Sequence, residues 1–167
     1  MSVEVNFPKV MQRVQNVIKT IEPHDSVERF TELGVNCVQG DAKILSPWEV
    51  EVNGQTLTAK NIVIATGARP RVPDISGLAA LDYLTSDTVW DIRDLPERLL
   101  VVGAGPIGCE LAQSFARLGS KVTLVTHADR LLPREDPEVS ERVHAEFRRQ
   151  HVKVHANYNP LFFGAAE

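Results

Sequence analysis

An α/β chain with a Rossmann-like parallel βαβ sheet, preceded by a helical and antiparallel meander segment, is the fold the sequence predicts, and three features predict it. Gly103-Ala104-Gly105-Pro106-Ile107-Gly108 directly follows an apolar run and opens an amphipathic stretch. From Leu99 onward, short apolar runs alternate with helix-length periodic stretches in the order β-α-β-α-β, the start of a doubly wound parallel sheet. Ahead of them, short β-branched runs flank Asn53-Gly54, a dipeptide that accepts the two positive φ angles of a type I′ hairpin turn.

Each element has its own signal. After Pro8, Val10, Met11, Val14, Val17, Ile18 and Ile21 recur three and four residues apart, with Lys9, Arg13, Gln15, Asn16 and Lys19 on the other face, so an amphipathic helix ends near Pro23. Asp25 and Glu28 have the spacing of a capping box, for a short helix that stops at Gly34. Residues 35–39, 42–45 and 48–52 read as meander strands, and the Asn53-Gly54 turn leads into another over 55–59. Residues 61–65 form a continuous apolar run, the pattern of a strand covered on both faces, ending on Thr66-Gly67. Such a run left bare is a pairing edge, so the helix over residues 9–22 or a second copy of the chain, a homo-oligomer, is expected to cover it. Pro70, Pro73 and Gly77 mark an irregular connector, and the boundary between the two regions falls between Gly77 and Pro96. Residues 99–102 form a second run covered on both faces; a helix over 106–118 ends at Gly119, a strand follows at 122–125, a helix at about 136–150, and a strand at 152–155. From Asn157 on there is no readable period.

Composition narrows the function classes. The 167 residues, 43% apolar and 24% charged, suit a globular chain with a core rather than a disordered one. A net charge of −4 without a single-sign block gives no electrostatic reason for a nucleic-acid or membrane partner. Cys37 and Cys109 lack any pairing or metal-ligand spacing, and His151 and His155, four apart on a strand rather than a helix, read as surface residues, so no metal site is expected. Free thiols, no apolar run of the ~18 residues a membrane span needs and no basic-then-apolar leader together point to a cytoplasmic location.

The glycine loop carries the chemistry. Gly103 permits a tight turn, Gly105 lets the backbone approach a diphosphate, and Gly108 lets the helix pack close to the strand. Pro106 suits the first helical position, and the free N–H groups of the helix end face the phosphates of a dinucleotide. At the end of the second strand Thr126 stands where an NAD site has an acid. His127, Arg130 and Arg134 follow and can attract a 2′-phosphate, which favours NADP; Asp129, able to return to the ribose through a longer loop, keeps NAD open. Cys109 fills a small slot behind the third glycine and has no redox role in this reading.

The segment from Ile62 to Pro70, with Pro73 and Gly77 after it, resembles the second FAD-contacting segment of the pyridine nucleotide-disulfide oxidoreductases, and Gly103 to Ala112 resembles that family's NAD(P) fingerprint. Glu110 to Thr123, with Arg134-Glu135-Asp136 after it, is most similar to the mercuric reductase and dihydrolipoamide dehydrogenase branch. The first glycine loop and CxxxxC redox pair of such enzymes are not in this sequence, so the chain resembles an internal fragment: a partial FAD-binding segment over residues 1–85, a partial NAD(P)-binding domain over 86–155, and a tail of unknown role over 156–167. The resemblance implies hydride transfer from NAD(P)H to flavin and on to a disulfide or a thiol-bound acceptor, with FAD bound in the full-length parent only and the chain alone inactive. It also implies that Asp41 and Ala42 lie by the FAD adenine and that Thr66 and Gly67 approach the flavin dinucleotide. Gly103, Gly105, Pro106, Ile107 and Gly108 would hold the NAD(P) diphosphate, with His127 and Arg130 near the adenosine ribose. Glu110 matches a family glutamate that pairs with a lysine near the redox cysteines and is the candidate catalytic residue. A standalone NAD(P)-binding module without catalysis is the alternative.

Overall fold

The computed structural model describes residues 4–164 and divides into two compact units, Gln15–Arg69 and the residues up to Val14 together with those from Pro70 on. The first helix, α1 (Phe7–Ile21), ends at the turn Glu22–Asp25, as its apolar spacing predicts.

In the unit Gln15–Arg69, α2 (Val27–Glu32) precedes a three-stranded antiparallel meander of β1 (Ala42–Ser46), β2 (Glu49–Val52) and β3 (Gln55–Thr58), in the order β1-β2-β3. Asn53 (φ 52°) and Gly54 (φ 76°) make the β2–β3 turn that the sequence specifies, with Val52 paired to Gln55. The cap of α2 is Ser26 rather than Asp25: Asp25 closes the preceding 3₁₀ turn, so the extended cap conformation falls one residue later, and the Ser26 hydroxyl accepts from the Arg29 N–H at 3.2 Å. Residues 35–39 are not a strand; the Asn53 side-chain amide donates to the Gln39 carbonyl at 2.8 Å instead. Residues 61–65 are not a strand either. No described strand pairs with them, and Val63 and Ile64 stand 86% and 69% exposed, so the expected helical cover does not form. A continuous apolar run encodes a demand for burial, and it becomes a strand only where a partner supplies the ladder.

The other unit holds the parallel sheet, β4 (Arg98–Val102), β5 (Lys121–Val125) and β6 (Lys153–His155), in the order β4-β5-β6. Crossovers α3 (Pro106–Leu118) and α4 (Pro137–Arg149) connect them, matching the predicted β-α-β-α-β order. Register runs from Arg98 opposite Lys121 to Val102 opposite Val125, and from Thr123 opposite Lys153 to Val125 opposite His155. The core gathers Val122 and Leu124 of β5, Cys109, Ala112 and Phe115 of α3, Phe147 of α4 and Val152, with Phe7 and Met11 joining from the start of α1. The Phe7 and Phe115 rings lie 6.1 Å apart at a 42° tilt. Leu99 and Val101 pack on this core, whereas Leu100 and Val102 remain 48% and 47% exposed, so β4 is covered on one face and not on both as its composition suggests.

Beyond β6 the chain is fixed through its main chain. The Asn157 and Tyr158 N–H groups donate to the carbonyls of Ala128 and Thr126, each at 2.8 Å, and Phe162 bridges to Ser76 in parallel fashion. No described helix is long and apolar enough to cross a membrane.

Candidate dinucleotide site

Because β4, β5 and β6 are parallel, the segments that leave their carboxyl ends meet along one edge: the glycine turn after β4, residues 126–136 after β5 and residues 156–158 after β6. The Gly103 N–H donates to the Val125 carbonyl at 2.8 Å, which anchors the turn across the strand pair, and its φ of +109° is one that side chains disfavour. At Gly108 a Cβ would stand 2.3 Å from the Gly103 carbonyl oxygen, so the helix approaches the turn as closely as a bare backbone allows. Gly105 is the opposite case, with no atom within 4 Å of a would-be Cβ. That open space lies at the amino end of α3, where Pro106 starts the helix and no side chain caps it. The N–H groups of Ile107 and Gly108 therefore have no intrahelical acceptor and, with the helix dipole, suit an anionic diphosphate. These residues fit the diphosphate of a dinucleotide.

Around the turn, the Ala104 carbonyl accepts from the Leu132 N–H at 2.8 Å and lies 3.5 Å from the Cys109 thiol. Sequence reasoning missed Leu132, whose φ of +48° carries no sequence signal. Thr126 is buried at the end of β5, its hydroxyl accepting from the Ala128 N–H at 3.2 Å, while His127, Asp129 and Arg134 are exposed beyond it. Arg130, partly buried, folds back on the same loop, donating through one terminal nitrogen to the carbonyls of Pro133 and Glu135, each at 3.0 Å. Glu110 sits exposed in the first turns of α3, its main-chain carbonyl taking the Ser114 hydroxyl at 2.7 Å.

The edge thus brings together Gly103, Gly105, Pro106, Ile107, Gly108, Glu110, His127 and Arg130. Asp41, Ala42, Thr66 and Gly67 belong to the other unit. Asp41 is exposed ahead of β1, and Ala42 opens that strand opposite Val52. Thr66-Gly67 ends the irregular run, with Gly67 at φ +69° and open space where a Cβ would be.

Burial pushes the Cys109 thiol above its ordinary pKa; the Leu132 N–H opposes this and the Glu110 carboxylate adds to it. A thiol raised in the folded state favours folding below the unfolded value of about 8.5 and loses that contribution as pH climbs through the folded one. Iodoacetamide at pH 8 is therefore expected to modify Cys37 and spare Cys109, with stability falling more steeply above pH ~8.5 in wild type than in Cys109→Ala. Mass spectrometry of labelled peptides checks the first outcome and urea titration across pH the second; rapid labelling of Cys109 in the folded chain would contradict its burial.

The family model for pyridine nucleotide-disulphide oxidoreductases matches residues 3–162. Over 151 residues the chain is 38% identical to a mercuric reductase from Lysinibacillus sphaericus, an alignment covering 90% of this chain and 28% of that protein. A dihydrolipoyl dehydrogenase from Mycoplasma pneumoniae is 39% identical over 137 residues, covering 75% of this chain and 30% of the relative. The structure of the HOCl-induced flavoprotein disulfide reductase RclA from Escherichia coli superposes with a TM-score of 0.79 at 28% identity, covering 98% of this chain and 38% of that one. The chain thus spans under a third of the length of either curated relative.

Proposed function

The chain belongs to the pyridine nucleotide-disulphide oxidoreductase family, and on that premise we propose that it forms the nicotinamide-nucleotide side of an FAD-dependent oxidoreductase passing hydride from NAD(P)H through flavin to a disulfide or a thiol-bound acceptor. The observation that carries this reading is the open turn at Gly105, set against the uncapped end of α3. When bound, the nicotinamide supplies a hydride and the flavin accepts it. This chain's residues would bind and orient the dinucleotide: the Gly105 backbone would admit the diphosphate, the Ile107 and Gly108 N–H groups would donate to its oxygens, and His127 would lie near the adenosine ribose. In the full-length parent, Asp41, Ala42, Thr66 and Gly67 would contribute to holding FAD. To Glu110, exposed near the start of α3, the reading assigns the role of pairing with a lysine beside the reacting disulfide of the full-length parent.

No carboxylate stands at the end of β5, where one would repel a 2′-phosphate, so NADPH is expected to bind more tightly than NADH. Calorimetry on wild type and Gly105→Val tests the reading. Gly105 has an ordinary φ of −73° and space around it, so the variant is expected to keep its melting temperature while losing about tenfold or more in affinity, ~1.4 kcal/mol or more. Unchanged affinity in the folded variant would sink the site. Tighter binding of NADH, abolished by Asp129→Ala, would make Asp129 the ribose ligand.

A further inference from the structure

Arg130 is spent on its own loop. One terminal nitrogen of its guanidinium donates to the carbonyls of both Pro133 and Glu135, and its Nε is buried without a partner, so the group is turned onto its own loop. The segment it closes touches two other parts of the fold. The Leu131 carbonyl accepts from the Ser140 hydroxyl of α4 at 2.6 Å, and the Leu131 side chain is fully buried. The next residue, Leu132, donates its N–H to the Ala104 carbonyl, between Gly103 and Gly105.

Resting on the dinucleotide reading above, we infer that Arg130 is a positioning residue for the glycine turn. By tying the carbonyls of Pro133 and Glu135 it fixes the loop whose Leu132 N–H holds Ala104, and so sets the turn at Gly105 for the diphosphate of any nicotinamide dinucleotide. The physical reason is local. A segment without regular structure presents carbonyls that no ladder satisfies, and a cationic donor bonds two of them more strongly than a neutral group does. Fixing the loop beforehand also removes the entropy cost of ordering it when ligand arrives. In this arrangement selectivity for a 2′-phosphate falls to the exposed His127 and Arg134, and Arg130 serves NADPH and NADH alike.

Arg130→Met keeps the apolar stem and removes the donors. It is expected to weaken NADPH and NADH by the same factor, about tenfold, and to speed amide hydrogen exchange at Leu132 while Val122 and Leu124 in β5 stay protected. Arg130→Lys, whose ammonium can donate to both carbonyls, is expected to restore slow exchange at Leu132 and most of the affinity for both nucleotides. Loss confined to NADPH, with Leu132 exchange unchanged, would overturn the inference and make Arg130 a phosphate ligand. Wild-type affinity for both nucleotides in Arg130→Met would overturn it as well. If Arg130→Met loses the protection of β5 altogether, Arg130→Gln, which retains an NH₂ donor, is read by the same two measurements. Wild-type protein that binds neither nucleotide defeats the dinucleotide reading and the inference with it, whereas binding by wild type with an indifferent Arg130 defeats the positioning role alone.

Discussion

Phe147→Ala is expected to lower the stability of the parallel-sheet unit by about 3–5 kcal/mol, the cost of removing a fully buried aromatic ring. Phe147 is 1% exposed in the last turn of α4, among Val122, Leu124 and Val152. Its carbonyl also receives the Val152 N–H at 2.9 Å, so the residue joins the end of the helix to the approach to β6. Domains of this size hold roughly 5–15 kcal/mol in total, so the variant should melt far below wild type. The urea midpoint, followed by circular dichroism, measures the loss; a change below ~1 kcal/mol would mean that neighbouring side chains collapse into the space.

Gly108→Ala is the second large effect, and its sign runs against helix propensity. Alanine in a helix interior is favoured over glycine by about 1 kcal/mol. Here, however, the added carbon would sit 2.3 Å from the Gly103 carbonyl oxygen, a main-chain atom of the turn that cannot swing aside like a side chain. Overpacking of this kind costs about 1–3 kcal/mol, occasionally more, so a net loss is expected, and the shift it forces on the turn should weaken NADPH binding too. Thermal unfolding and titration check both parts. A variant as stable as wild type would show that helix and turn separate freely. Gly105→Val, three residues earlier, is expected to do the reverse and spare the fold while blocking the ligand, so the pair separates two duties within one motif.

The sequence assigns the two duties by position, Gly105 to the phosphate approach and Gly108 to helix packing, and the 2.3 Å approach to the Gly103 carbonyl agrees with the second. The helices α1, α3 and α4 and the strands β4, β5 and β6 were legible because apolar period and length agree with the observed elements. Residues 61–65 misled because composition states which surfaces need cover, and only three-dimensional neighbours supply it. Leu100 and Val102 misled in the same way. Arg130 illustrates the limit at the site, since an arginine in a polar loop reads identically whether it serves a phosphate or its own carbonyls. Residues 157, 158 and 163 left no imprint because the hydrogen bonds that attach them come from main-chain groups, which every sequence possesses.

The bridge between Ser76 and Phe162, with the Phe163 N–H on the Ser76 carbonyl at 2.8 Å, joins points separated in sequence by the whole parallel sheet. Closing so long a loop costs more chain entropy than closing the short crossovers of α3 and α4, and the contact rewards that cost with few bonds. The bridge is therefore expected to form late in folding and to open early, which amide exchange at Phe163 measures. Opening of this stretch would also loosen the neighbouring Asn157 and Tyr158 attachments, freeing the edge at Thr126 and Ala128 while the β4-β5-β6 ladder stays intact. Amide exchange faster at Asn157 and Tyr158 than at Val122 and Leu124 is the expected mark of such an opening, a motion of the outer edge of the candidate site distinct from the global unfolding that Phe147→Ala and Gly108→Ala promote.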